Sequence, residues 1–437
     1  MTERQRKSTP TLLVFLVSFL TFGCGEPPRR GPGAWTAEAD TIGDTVTVRT
    51  LAGSVWDDTA TLIPEVTIGD LEGDDEYLLG DPRSIAVDES GLIYVLDVHI
   101  PVVRVYSPDG THLRDLGREG DGPGEYRSPD GTAVLSDGRV LVRDPPNGRI
   151  TIFDSLGAHL GEWPLTGGFN TDIRFYVDHS DYAYAATILE RGVGPWDWRF
   201  GVVRYSPEGA IVDTIPAPTW TFDRAQVRAS GEGFQTVRPV PFSPSIAWTF
   251  SPRGYMVGGV STDYRIDSFL PTGTVHRFER AFDPVRVQGA EAQERRIAIT
   301  NSLRRRAGLW TWNGPPIPDE KPPFKEIFAS WEGNIWVSLS TNGVPRITVE
   351  EAAEEEARTG RRPLRFHETV AFDVFSPLGR YLGAVIPPEC FRIEPEPIVR
   401  GDMVWAVTRD ALDVPRVVRF RIVREDGTSD PATRSRS

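Results

Sequence analysis

The run Ser84-Ile85-Ala86-Val87-Asp88-Glu89-Ser90-Gly91-Leu92-Ile93-Tyr94-Val95-Leu96-Asp97 continues as Val102-Val103-Arg104-Val105-Tyr106-Ser107-Pro108-Asp109-Gly110 and then Leu113-Arg114-Asp115-Leu116-Gly117. It reads as four short β-strands joined by tight turns. Alternation in Ile93, Val95 and in Val103, Val105 gives the strands apolar faces. Gly91 and Gly110 fall where hairpins need a positive φ, which glycine supplies without a Cβ clash. No stripe of helical period crosses the unit, so helices are not expected inside it.

The unit recurs. Asp137-Gly138-Arg139-Val140-Leu141-Val142 and Ile150-Thr151-Ile152-Phe153-Asp154-Ser155-Leu156-Gly157 repeat its first turn and its next hairpin. Arg253-Gly254-Tyr255-Met256-Val257 and Phe269-Leu270-Pro271-Thr272-Gly273 do so again. The paired glycines stand 19 residues apart in each copy: 91 to 110, 138 to 157 and 254 to 273. Looser copies begin around Asp181, Glu332 and Gly401, which makes six units starting near residues 81, 129, 170, 244, 325 and 391.

A four-stranded sheet this short cannot bury both faces alone, whereas radial neighbours can sandwich its apolar side chains. The fold class expected is therefore all-β, a six-bladed β-propeller over residues 44–427. An open ring would expose an edge and an apolar face. The sixth unit is short of a fourth strand, and Leu62-Ile63-Pro64-Glu65-Val66-Thr67-Ile68-Gly69 resembles the outer strand that ends at Gly117. The N-terminal strand is thus expected to close the last blade. The block from Pro82 to Gly117, followed by Arg118-Glu119-Gly120-Asp121-Gly122-Pro123-Gly124-Glu125-Tyr126, resembles NHL repeats and, more closely, bacterial lipoprotein propellers with six blades. That resemblance is strong over residues 64–165 and weaker to about 425. It implies a fold and leaves function open, because propellers host enzymes, ligand binders and scaffolds alike.

The first residues read as an export signal. Arg4, Arg6 and Lys7 precede the apolar run Leu12 to Leu20, and Gly23-Cys24 follows. The 13 uncharged residues from Thr11 to Gly23 suit a signal h-region and are too few for a comfortable membrane span. The segment resembles a bacterial lipoprotein signal, which implies cleavage after residue 23 and acylation of Cys24. Gly25, rather than aspartate, implies sorting to the periplasmic face of the outer membrane in a diderm host. Cleavage by ordinary signal peptidase, giving a secreted or periplasmic protein, is the rival reading. Residues 24–43 read as a flexible tether and 428–437 as a disordered tail. The only other cysteine, Cys390, reads as a small buried hydrophobe without a disulfide partner.

The formal charge of −14 disfavours nucleic acid as a partner, since a phosphate backbone needs a positive counterpart. Two insertions are expected, at about 285–322 and 348–365. Ala290 to Leu309 is the best helical candidate; its Arg304-Arg305-Arg306 reads as a solvated face paired with the acidic body, or as an anion site. Glu350, Glu351, Glu354, Glu355 and Glu356 read as a short exposed helix or loop, or as a cation clamp. Gly120-Asp121-Gly122-Pro123-Gly124 lacks the following helix of a phosphate cradle and reads as an inter-blade turn. His99, His112, His159, His179, His276 and His367 are scattered, with no HExxH and no GxSxG. Asp97, Asp144 and Asp263 at strand ends are expected to serve turns rather than a metal.

The leading expectation is a lipid-anchored binding or scaffold module. Its partners are the membrane, through the lipid, and a protein, peptide or glycan on a propeller face, where Trp196, Trp198, Trp310 and Trp312 offer contacts or plug the core. The alternative is a metal-assisted hydrolase or lyase at the propeller axis. No catalytic, cofactor-binding or metal-ligating residue is assigned from the sequence, and the cofactor is left unknown.

Overall fold

A computed structural model describes residues 34–57, 59–166, 175–192 and 198–424. The signal segment, Cys24, Trp196 and the tail from 428 lie outside the described residues. The body is built from six four-stranded antiparallel sheets. Blade one comprises Pro82–Val87, Ile93–Asp97, Val102–Tyr106 and His112–Leu116. The innermost strands of blades two to six are Gly131–Val134, Phe175–Val177, Ile246–Ser251, Phe324–Ala329 and Ile398–Arg400. These lie within seven residues of the expected blade starts.

The core is divided among the junctions between blades. Ala86, Leu96 and Val105 of blade one pack with Val140 and Phe153 of blade two. Comparable apolar clusters join two to three, three to four, four to five and five to six. Another joins six to one, where Trp405, Val407 and Val417 meet Ile85 and Val95. Each fully buried Val, Leu, Ile or Phe contributes roughly 1.5–3 kcal/mol, so every junction supplies several side chains' worth of cohesion. Between blades four and five the apolar contact is stapled by Asp373, which is buried and accepts from the hydroxyls of Tyr264 and Tyr381 at 2.7 Å each and from Arg280.

The N-terminal segment wraps the outside of three blades. Strands β1 (Thr36–Ile42) and β2 (Thr45–Ala52) form a hairpin, and β2 runs parallel to the outer strand of blade four, Thr45 opposite Val275. Part of the stretch read as a tether is therefore a strand in the sheet. The chain then donates Val55 and Trp56 N–H to Tyr381 and Leu382 of blade five at 3.1 and 2.8 Å. Finally β3 (Ala60–Ile68) pairs antiparallel with the Pro415–Val423 strand of blade six, Leu62 opposite Ile422.

Among the described residues two α-helices interrupt the all-β pattern: α1 (Gly289–Ala307) and α2 (Val349–Thr359). Because strands alternate in direction, first-to-second and third-to-fourth connections emerge on one face of the ring and the remaining connections on the other. On the first face the described blade connections are short turns. The other carries both helices and the hairpin Gln226–Gly231 with Phe234–Pro239, so all three long excursions share one side.

Candidate ligand-binding sites

Helix α1 is held against the ring at two points. Near its C-terminus Leu303 is buried with Val227, Ala229, Val240 and Trp310, and Ile299 and Ala307 flank that cluster. Near its N-terminus Glu291, fully buried, accepts from Lys321 Nζ at 2.8 Å. Lys321 also reaches Glu368 at 3.1 Å and the Thr341 carbonyl at 3.0 Å, and Lys325 lies 2.9 Å from Glu368. Burial alone would raise the Glu368 carboxyl, but Lys325, the Thr341 N–H and Lys321 hold it below the ordinary glutamate range. Trp310 donates to the Arg228 carbonyl at 2.8 Å and belongs to the core of this excursion.

Helix α2 starts at a capping box. Thr348 Oγ1 accepts from the Glu351 N–H at 3.1 Å, and the Glu351 carboxylate accepts from the Thr348 N–H at 2.7 Å. It ends at Gly360, whose φ of 70° turns the chain back into Arg361 and Arg362. The acidic run is spent locally: Glu355 pairs with Arg358 at 2.7 Å and Glu356 with Arg362 at 3.1 Å. It forms no cation clamp among the described residues, which contain no group of three or more His, Cys, Asp and Glu placed to hold a metal.

Between α1 and the segment that leaves α2 lies a groove of about 1090 Å³. Five arginines line it, Arg304, Arg305, Arg361, Arg362 and Arg365, against only Glu294 and Glu356. Both acids are engaged, Glu356 by Arg362 and Glu294 by the N–H groups of Arg365 and Phe366 at 2.8 and 3.1 Å. Ile297, Pro363 and Leu364 supply apolar floor. Arg304 donates to the Trp310 carbonyl at 2.9 Å, whereas Arg305 and Arg361 have exposed side chains with no ion pair among the described residues. Arg304–Arg306 form the solvated face expected of them at the last turn of α1, where cations suit the helix dipole; among the described residues they have no ion pair with the acidic body, and Arg304 and Arg305 line the groove. On the other flank of α1, Arg305 and Arg306 join Arg238, Thr236 and Ser302 around a smaller hollow of about 260 Å³.

The second concavity is axial. All six innermost strands line one cavity of about 140 Å³, with Ile85, Val87, Val177, Phe250 and Ala329 among its apolar walls. Its polar groups include Arg83, Tyr176, Glu396 and Arg400. Tyr176 donates to Glu396 at 3.4 Å and accepts from Thr249 at 3.3 Å. Glu396 is the one lining residue of metal-binding type, so the axis does not fit a metal centre built from these side chains.

The remaining residues singled out by sequence have structural work. Asp97 accepts from the N–H groups of Gly80, Asp81 and His99 at 2.7, 3.0 and 2.9 Å, and Asp144 from Arg127 and Ser128 at 2.9 and 3.1 Å. Asp263 sits on an exposed turn. In the Gly120–Gly124 loop, Glu125 accepts from the Gly122 N–H at 2.9 Å and pairs with Arg118 at 2.8 Å, which closes the inter-blade turn upon itself. Cys390 is half-buried with no disulfide. Trp198 is half-buried beside Phe200 and Arg191. No helix among the described residues is long and apolar enough to cross a membrane.

A family model described as a 6-bladed beta-propeller, DUF5128, matches residues 58–187, under a third of the chain. No curated protein matches it. Among solved structures, a member of the DUF4221 family from Bacteroides vulgatus shares 10% identity at a TM-score of 0.49, covering 84% of this chain and 98% of that one. A virginiamycin B lyase from Staphylococcus aureus shares 11% at a TM-score of 0.36, covering 78% and 95%. A gluconolactonase from Xanthomonas campestris shares 14% at a TM-score of 0.37, covering 83% and 97%. The matched family and this chain's own strand register agree on a six-bladed β-propeller.

Proposed function

We propose that the protein is an exported binding module, anchored through acylated Cys24, whose insertion-bearing face captures an acidic peptide segment of a partner protein. The observation that carries this reading is the groove: five arginines with their two neighbouring carboxylates already engaged, in a chain of formal charge −14. Arg305 and Arg361 offer unpaired guanidinium forks to carboxylates, and Ile297, Pro363 and Leu364 offer contact to apolar side chains between them. In this reading β3 clasps the ring, the N-terminal lipid holds the module at the periplasmic face of the outer membrane, and the groove face does the binding.

Fluorescence anisotropy with a labelled peptide of alternating Glu and Leu tests it. Wild-type protein should bind this peptide, lose affinity as salt rises, and ignore a Lys-Leu counterpart. Arg305→Glu with Arg361→Glu should weaken binding at least tenfold. Equal binding by the charge-reversed protein refutes the groove, and binding of polygalacturonate in place of the peptide reassigns the ligand to a glycan. Mass spectrometry of the mature N-terminus and fractionation of Cys24→Ser test the anchor separately; membrane association unaltered by C24S refutes it.

A second reading, an enzyme working at the axis, draws on the Tyr176–Glu396 pair, a phenol and a carboxylate facing one cavity. It predicts that a hydrolysis and elimination screen finds turnover that Glu396→Gln abolishes. Turnover untouched by that change would place any chemistry elsewhere.

A further inference from the structure

The axial cavity contains one charge without a partner. Arg400 lines it from the innermost strand of blade six, with its guanidinium 4.2 Å from the ring centre of Trp331. Among the described residues its side chain has that ring contact and neither a hydrogen bond nor an ion pair. Arg83, Ser84, Thr132, Tyr176 and Glu396 of the same lining are hydrogen-bonded or ion-paired. Arg83 pairs with Asp81 at 2.6 Å, Ser84 Oγ accepts from the Thr132 N–H at 3.1 Å, and Thr132 Oγ1 donates to the Leu141 carbonyl at 3.2 Å. Tyr176 is bonded to Glu396 and Thr249. The acids whose field reaches Arg400 are Glu332, Glu89 and Asp88. Glu332 is committed to the Gly401 N–H at 2.8 Å, Asp88 to Ser90, Leu92 and Tyr94, and Glu89 faces solvent. Burial pushes the Arg400 guanidinium below its ordinary range, with those acids opposing.

Arg400 is half-buried, and a partly desolvated guanidinium is stabilised when an anion meets it; a carboxylate meets its fork with two parallel hydrogen bonds. Around Arg400 the cavity joins apolar walls, Ile85, Val87, Val177, Phe250 and Ala329, to the bonded polar side chains named above. About 150 Å³ of apolar cavity is enough for a benzene-sized guest. Glu396 on the same wall disfavours a second negative charge on that guest. We propose that the axial cavity binds a small monocarboxylate of roughly six to eight heavy atoms in all, its branched apolar tail against the walls and its carboxylate held by Arg400. The site is separate from the arginine groove and is argued without it.

Isovalerate is the probe, titrated into the full chain by calorimetry and by tryptophan fluorescence, since Trp331 stacks on the proposed anchor. Its neutral isostere isovaleramide is the control for charge. Wild-type protein should bind isovalerate saturably and the amide at least tenfold more weakly. Arg400→Gln should lower isovalerate affinity at least tenfold with the thermal melt retained. Ala329→Leu, which fills the cavity from the neighbouring blade five and leaves Arg400 itself in place, should abolish isovalerate binding and leave acidic-peptide binding at the groove intact. The proposal is overturned if wild-type protein shows no saturable binding, if the amide binds equally well, or if R400Q binds as wild type. Should R400Q fail to fold, A329L decides: undiminished isovalerate binding in that variant rules out the axial site.

Discussion

Replacing Lys321 by methionine should be among the most damaging single changes in the insertion-bearing half of the molecule. Lys321 is 3% exposed, and its ammonium satisfies the fully buried Glu291 at 2.8 Å and also reaches Glu368 at 3.1 Å. Methionine keeps the volume but strands Glu291, whose Oε2 already lacks a hydrogen-bond partner. Removing one partner of a buried pair costs about 3–5 kcal/mol, chiefly the penalty of the charge left behind. Glu291→Leu combined with Lys321→Met removes both charges. Glu368 then keeps Lys325 at 2.9 Å and the Thr341 N–H at 3.0 Å. The double variant should accordingly recover to within about 1 kcal/mol of wild type, because a buried pair replaced by well-packed apolar groups is often near neutral. Urea unfolding followed by circular dichroism, with the midpoints of both single variants and the double, closes the cycle. Strictly additive losses, or a K321M loss below about 1 kcal/mol, would mean that the three side chains do not form the buried network that seats α1.

Two further outcomes follow from the packing and the electrostatics. Leu62→Ala in β3, 4% exposed against blades five and six, should lose about 2–5 kcal/mol, while Leu160→Ala, 56% exposed, should stay within about 0.5 kcal/mol; equal thermal shifts would show that β3 does not clasp the ring. Burial raises the Asp130 carboxyl to about 6 despite Arg143 at 2.8 Å, so the folded state holds its proton more tightly than the unfolded chain. The stability this contributes is full below about pH 4 and is lost as pH rises through about 6. A carbon-13 titration of that carboxyl with a midpoint near 4 would refute it.

The blades were legible in the sequence because their determinants are local. A hairpin's need for positive φ is met within one turn, as at Gly91 and Gly110 with φ of 86° and 90°, and the apolar alternation of each strand acts over a few residues. The same holds for α1 and for α2, whose ends are written in Thr348, Glu351 and Gly360. The pairing of β3 with blade six was also legible, because a missing fourth strand and a spare strand are both countable. The hairpin of β1 and β2 on blade four was not: an outer edge accepts any strand through its backbone, so side-chain pattern does not name the partner. Nor were the sites. Arg304 and Arg305 belong to one insertion and Arg361, Arg362 and Arg365 to another, and only the ring, by sending both excursions to the same face, turns two separate charge runs into one groove. Arg400 reads as an ordinary strand-end arginine until the six innermost strands converge and bring it to a shared cavity. Backbone conformation is decided by neighbours along the chain, whereas desolvation and charge pairing are decided by neighbours in space, and those are set only once the ring is assembled.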